Sequence, residues 1–78
     1  MNVTITKPDT TLYEGPASLI QLPGTDGLFE ILENHAPIIS SLAAGTIRLL
    51  TETQEEKLFE IKAGVLKGQH NDILVLVQ

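Results

Sequence analysis

Apolar residues recur at every second position through most of this chain, and that period dictates strands. Val3 and Ile5 alternate with Asn2, Thr4 and Thr6. Phe29 and Ile31 share one face of residues 28–32, and Ile47 and Leu49 share one face of residues 46–50, with Thr46 and Arg48 opposite. Successive side chains of a strand point to opposite sides, so this pattern places one set in a core and the other outside. A helix would repeat at 3.6 instead. Turn residues interrupt each run. Lys7-Pro8-Asp9 stops the first, because proline cannot donate to a ladder and aspartate favours turns. Further strands are predicted at residues 11–13, ended by Glu14-Gly15-Pro16, and at residues 18–22, followed by the dense turn signal Pro23-Gly24-Thr25-Asp26-Gly27. Gly64 breaks the chain before a short strand at Val65 and Leu66. Residues 68–72 turn again, and residues 73–77 close the sequence.

The polar stretch Thr51-Glu52-Thr53-Gln54-Glu55-Glu56 reads as a hairpin loop between strands at residues 46–50 and 58–61. A helix over residues 52–61 competes, since Glu, Gln, Lys and Leu are good helix formers. About ten residues are marginal for a helix on its own, and the strand patterns on both sides favour the hairpin. Many short strands with turns between them predict an all-β sandwich or barrel.

A chain of 78 residues has room for one core, so residues 1–78 are expected to form a single domain. A domain of this size buries only about 60% of its unfolded surface, which leaves it modestly stable. No cysteine is present to staple it or to build a Cys-based metal site, and aromatics are few: Tyr13, Phe29 and Phe59. The formal charge is −5 and the five basic residues are scattered, which argues against a nucleic-acid face. No basic amphipathic helix, no apolar run near the roughly 20 residues of a membrane span and no signal-peptide core occur, so a cytoplasmic protein is expected.

Chemistry is sparse. His35 with Ser40 or Ser41 would be a base and a nucleophile only with an orienting acid in reach, and there is no Gly-x-Ser-x-Gly elbow. His35 and His70 lack the further ligands a metal site needs, and no phosphate-binding Gly-x-x-x-x-Gly-Lys occurs. Asp26, flanked by glycines, fits a turn better than a calcium loop. His35 is followed by Ala36-Pro37, which forces Ala36 to be extended. A histidine at such a bend is expected to spend its ring nitrogens on loop backbone groups. The last run offers something else. Ile73, Val75 and Val77 point one way, Leu74 and Leu76 the other. The two leucines either pack under a loop of the same domain or stand free as a foothold for a partner.

The stretch Gln21-Leu22-Pro23-Gly24-Thr25-Asp26-Gly27 and onward to Leu49 resembles the signature of the epsilon subunit of F-type ATP synthases. The resemblance lies in Gly24-Thr25-Asp26-Gly27 for a Gly-x-x-Gly loop, and in Asn34-His35-Ala36-Pro37-Ile38-Ile39 for a Gly-His-Ala-Pro-Leu-Leu-like motif. Ala44-Gly45-Thr46-Ile47-Arg48 matches a Pro-Gly-x-Ile-Arg-like strand start. Leu12-Tyr13-Glu14-Gly15, Ala63-Gly64-Val65-Leu66 and Asn71-Asp72-Ile73-Leu74-Val75-Leu76 are similar to the family's opening and closing strands. Asn34 stands where the family usually has glycine, and asparagine also tolerates a left-handed backbone.

The resemblance implies a flattened β-sandwich of about ten short strands in two sheets. It implies a non-catalytic rotor subunit of the central stalk that needs no cofactor. Its partners would be the gamma subunit and the c-ring, and its task to help couple ion-driven rotation to ATP synthesis. By resemblance, Thr25, Asp26, Gly27 and Leu28 face the c-ring, and His35, Ala36, Pro37, Ile38, Ile39, Ser40 and Ser41 face gamma. Of Ile38 and Ile39, one is expected in the core and one at the interface, because neighbours on a strand point opposite ways. The implied location is peripheral, at the cytoplasmic face of a bacterial inner membrane. Typical members continue into a two-helix hairpin associated with inhibiting ATP hydrolysis and, in some, with binding ATP. The sequence stops at Gln78, so neither role is expected, whether the chain is a short member or an N-terminal domain. The rival is a free-standing β domain binding a peptide or small ligand, whose mark would be a concave cluster of aromatics and convergent polar groups.

Overall fold

Nine strands make up the computed structural model, which describes residues 1–78. They are β1 (Asn2–Thr6), β2 (Thr11–Pro16), β3 (Leu19–Gly24), β4 (Gly27–Leu32), β5 (Ile38–Leu42), β6 (Gly45–Leu50), β7 (Glu56–Ile61), β8 (Gly64–Gln69) and β9 (Asp72–Val77). There is no helix. One layer runs β2-β1-β9-β8-β5, the other β4-β3-β6-β7. They are joined by a single bridge pair, Gly24 with Leu42, so hydrogen bonding is continuous and the sheet curls over on itself. The expected strand count of about ten is thus nine, and its two sheets are two layers of one curled sheet. On the open side the terminal strands β2 and β7 meet through the rings of Tyr13 and Phe59, tilted with centroids 6.3 Å apart.

The period-two residues form the core between the layers. Val3, Ile5, Leu66, Ile73, Val75 and Val77 come from one layer, and Ile20, Leu22, Ile31, Ile47, Leu49 and Ile61 from the other. No polar or charged residue is buried with them. Each such side chain contributes about 1.5–3 kcal/mol by leaving water, in place of the disulfides the chain lacks. The strand registers keep the alternation aligned. Parallel β1 and β9 set Val3 beside Ile73 and Ile5 beside Val75, so a one-residue slip would turn both sets outward.

Three elements are longer than their turn residues suggest, each for a local reason. β2 continues through Gly15-Pro16 because it is an edge strand, where proline's missing N–H is harmless. The Tyr13 ring folds over Gly15 and its hydroxyl donates to Pro16 O at 2.7 Å. β3 continues through Pro23, where it changes neighbour: residues 19–21 pair with β6, and Gly24 pairs with β5. β8 continues to Gln69 because the turn into β9 needs only His70 and Asn71. Both have positive φ, 52° and 64°, which matches the twist of a two-residue hairpin.

The polar stretch before Glu56 is a hairpin loop, and the competing helix over residues 52–61 is overturned. Thr51 closes the loop. Its N–H donates to Glu55 O at 2.9 Å, and its Oγ1 accepts from Glu55 N at 3.0 Å.

Candidate protein–protein interfaces

The outer face of the β2-β1-β9-β8-β5 layer is uncovered and carries a group of apolar side chains. Cross-strand pairing lays Thr4, Leu74, Lys67 and Ile39 in one row, and Thr6, Leu76, Val65 and Ser41 in the next. Ile39 is 76% exposed, Leu76 50%, Val65 47% and Leu74 39%. Leu74 and Leu76 are therefore not packed under a loop of the domain. Four apolar side chains stand together in water, with Lys67 among them. Scattered exposed apolar residues mean little, but a contiguous group on one sheet face marks an interaction surface.

β5 answers which isoleucine faces out. Ile38 is partly buried and packs against the core, while Ile39 projects to solvent. Ser41 lies on the outer face with Ile39, and Ser40 alternates to the opposite side with Ile38. Of the segment from His35 to Ser41, the exposed face of the strand thus contributes Ile39 and Ser41, and the exposed residues Ala36 and Pro37 extend it at one end.

His35 has a packing role. Its Nδ1 donates to Ala36 O, as expected of a histidine at this bend. Its Nε2 is buried without a hydrogen-bond partner. The ring lies against Gly68 of β8, where an added Cβ would come within 3.1 Å of His35 Cε1 and 3.2 Å of Nε2. The same Cβ would come within 2.9 Å of Ile73 Cδ1, so any larger residue here would crowd both the ring and the core. Ser40 Oγ donates to Ser41 O at 3.3 Å, so no histidine–serine pair is assembled. His70 sits in the β8–β9 turn, exposed. Asn34 adopts φ 63°, which explains how the bend accommodates asparagine in place of glycine.

The second candidate surface is the β3–β4 turn. Thr25 and Asp26 form its two-residue tip, and Gly27, at φ 129°, has a backbone that side chains other than hydrogen rarely allow. Thr25, Asp26, Gly27 and Leu28 are all exposed, Leu28 by 64%. The tip is fastened to β5, since Thr25 N donates to Ser41 O at 3.1 Å. β5 therefore runs from the His35 bend at one end to the Thr25–Asp26 turn at the other, a span of roughly 15 Å.

Sequence reasoning missed Val65 and Lys67. Their place on the face depends on the pairing of β5 with β8 and of β8 with β9, and the first of these joins segments distant in sequence. The mixed apolar parity of β9 was the available signal. None of the surface concavities is lined by Tyr13, Phe29 or Phe59, so the aromatic pocket expected of a small-ligand binder does not form.

The chain is similar to known proteins in sequence and in fold. The ATP synthase epsilon chain of Chlorobium limicola is 31% identical over 74 residues, covering 95% of this chain and 84% of that one. The epsilon chain of Synechococcus sp. is 35% identical over 77 residues, covering 99% and 55% respectively. That of Clostridium novyi is 36% identical over 72 residues, covering 92% and 55%. The chain thus spans most of the Chlorobium protein but little more than half of the other two. Two solved structures share the fold. A chain of the Euglena gracilis mitochondrial ATP synthase OSCP/F1/c-ring assembly superposes with a TM-score of 0.90 at 18% identity, over 96% of this chain and 48% of that chain. A chain of the Tetrahymena thermophila mitochondrial ATP synthase central stalk and c-ring gives 0.83 at 20% identity, over 100% and 63%. The family described as "ATP synthase, Delta/Epsilon chain, beta-sandwich domain" matches residues 1–78, and the chain belongs to it.

Proposed function

We propose that this chain is a non-catalytic rotor component of an F-type ATP synthase. It binds the gamma subunit through the outer face of the β2-β1-β9-β8-β5 layer and the c-ring through the Thr25–Asp26 turn. It thereby helps couple ion-driven rotation to ATP synthesis, held peripherally at the membrane through the complex. The observation that carries this reading is the link between two surfaces of opposite character through one strand. Ile39 and Ser41 of β5 belong to the exposed apolar face, and the polar turn is hydrogen-bonded to β5 at Ser41.

The character of each surface suits its partner. Interface energy concentrates in a few well-buried apolar anchors, and Ile39, Val65, Leu74 and Leu76 supply such anchors for a joint that bears torque. The turn is short and polar and can approach another loop closely. Asp26 can accept a charge-assisted hydrogen bond from an Arg or Lys of the ring. The solved relatives stand in assemblies that contain a c-ring, which supports the same placement.

The test is capture from detergent-solubilised membranes with the tagged chain as bait. Recovery of gamma and c subunits together is the expected outcome. A folded bait that retains neither would overturn the proposal.

A further inference from the structure

We infer that Asn34 and Asn71 form a clasp that positions the Pro37–Ile39 segment for its partner, which makes Asn71 a positioning residue although it lies outside the contact surface. The inference rests on the gamma-facing role proposed above for Ile39. Asn34, before the His35 bend, and Asn71, in the β8–β9 turn, are both left-handed, with φ 63° and 64°. Glycine adopts that backbone most readily, and it is also the favoured second residue of a two-residue hairpin with positive φ at both positions. Backbone geometry alone would therefore call for glycine at both sites.

The side chains supply the reason for asparagine. Asn34 N donates to Asn71 Oδ1 at 2.7 Å, and Asn71 Nδ2 donates to Asn34 Oδ1 at 3.0 Å. The two residues thus hold each other across two loops. Asn71 is itself anchored, because its carbonyl accepts from Asn2 N at 2.8 Å.

The clasp matters because few contacts hold this bend: at its start the Glu33 carboxylate accepts from the Met1 ammonium at 3.0 Å, and beyond Glu33 the clasp is what ties its backbone. Among residues 33–37 the Asn34 amide is the one backbone N–H that is hydrogen-bonded. The His35 ring on Gly68 is the neighbouring contact, made against the same β8–β9 hairpin. The stiff Pro37 follows, and then β5 with Ile39. Freeing Asn34 would let the entry to β5 swing while the strand itself stays paired with β8.

Asn71→Gly separates the clasp from the turn, since glycine keeps the positive φ and the carbonyl but loses both side-chain bonds. Amide hydrogen exchange of the free chain, followed by NMR, reads the first consequence. The Asn34 amide should exchange about tenfold faster, with β8 and β9 amides and the denaturation midpoint close to wild type. Asn71→Asp keeps an acceptor for that amide and should restore its protection. Binding to purified gamma reads the second consequence. Asn71→Gly should weaken it several-fold, Asn34→Gly less, because the residue 34 amide still donates to Asn71 Oδ1, and the double variant no further than Asn71→Gly. Unchanged Asn34 exchange would overturn the clasp. Faster exchange with unchanged gamma affinity would overturn the positioning role. A wild-type chain that ignores gamma would overturn the proposed function and the positioning with it, while the exchange data would still decide whether the clasp exists.

Discussion

Ile39→Asp gives the clearest test of the gamma-facing surface. The side chain is 76% exposed, so about three-quarters of its burial energy remains to be gained on docking. Full burial of an isoleucine contributes about 1.5–3 kcal/mol, which leaves roughly 1–2 kcal/mol, or about 5- to 30-fold in Kd. A carboxylate in its place must also lose its water on docking, which adds to the loss. Lys67, its cross-strand partner, offsets part of that cost. In the free chain the substitution sits in solvent, so stability should change by no more than about 0.5 kcal/mol. Ile38→Asp is the contrasting variant. That side chain packs on the core, and a charge there should cost about 2–5 kcal/mol and unfold much of the protein. Calorimetric titration with purified gamma gives the affinity, and urea denaturation gives the stability. A folded Ile39→Asp chain that binds gamma as tightly as wild type would refute the surface assignment. Unfolding by Ile39→Asp, with Ile38→Asp tolerated, would mean that the two faces of β5 are reversed.

Asp26→Lys should weaken attachment to isolated c-ring, more so at low salt, and leave gamma affinity unchanged; the two binding curves measured at two ionic strengths check this. Gly24→Ala should destabilise the domain by about 1–3 kcal/mol, because its Cβ would come within 2.8 Å of both Gly27 O and Phe29 Cε1, and the carbonyl cannot move aside cheaply; the urea midpoint reports it. Leu49→Ala removes a fully buried side chain and should cost about 2–5 kcal/mol, a large share of the stability of so small a domain; thermal melting followed by circular dichroism shows the loss.

The strands were legible wherever one face is buried and the other wet, as in β1 and β6, because each residue there declares its side by polarity. Strand ends were less so. Pro23, Gly24 and Gln69 look like turn residues yet continue their strands, since what they need is set by the neighbouring strand and not by their own preference. The bend was half legible. His35 was expected to bind loop backbone, and Nδ1 does, but Gly68 as the seat for its ring lies far along the chain. Ile38 and Ile39 show the limit well. Alternation says that they face opposite ways, and only the register of β5 against β8 says which way each one faces. Asn71 was hidden for the same reason: its partner is a loop distant in sequence.

The placement of β1 has a consequence for how the chain is made. β1 lies between β2, which follows it at once, and β9, which is parallel to it and comes from the far end of the sequence. A parallel pair cannot be closed by a tight turn, so β1 and β9 meet only after everything between them has been synthesised. Until residues 72–77 leave the ribosome, the nascent chain carries β1 with one unpaired edge and with Val3 and Ile5 lacking their neighbours Ile73 and Val75. Such an edge is a template for pairing with another chain, and contacts this distant in sequence form slowly. β9, the ninth strand in chain order, is thus the one that seals this edge of β1, and a ribosome paused before Asp72 holds an unsealed edge that invites a chaperone or a neighbouring nascent chain.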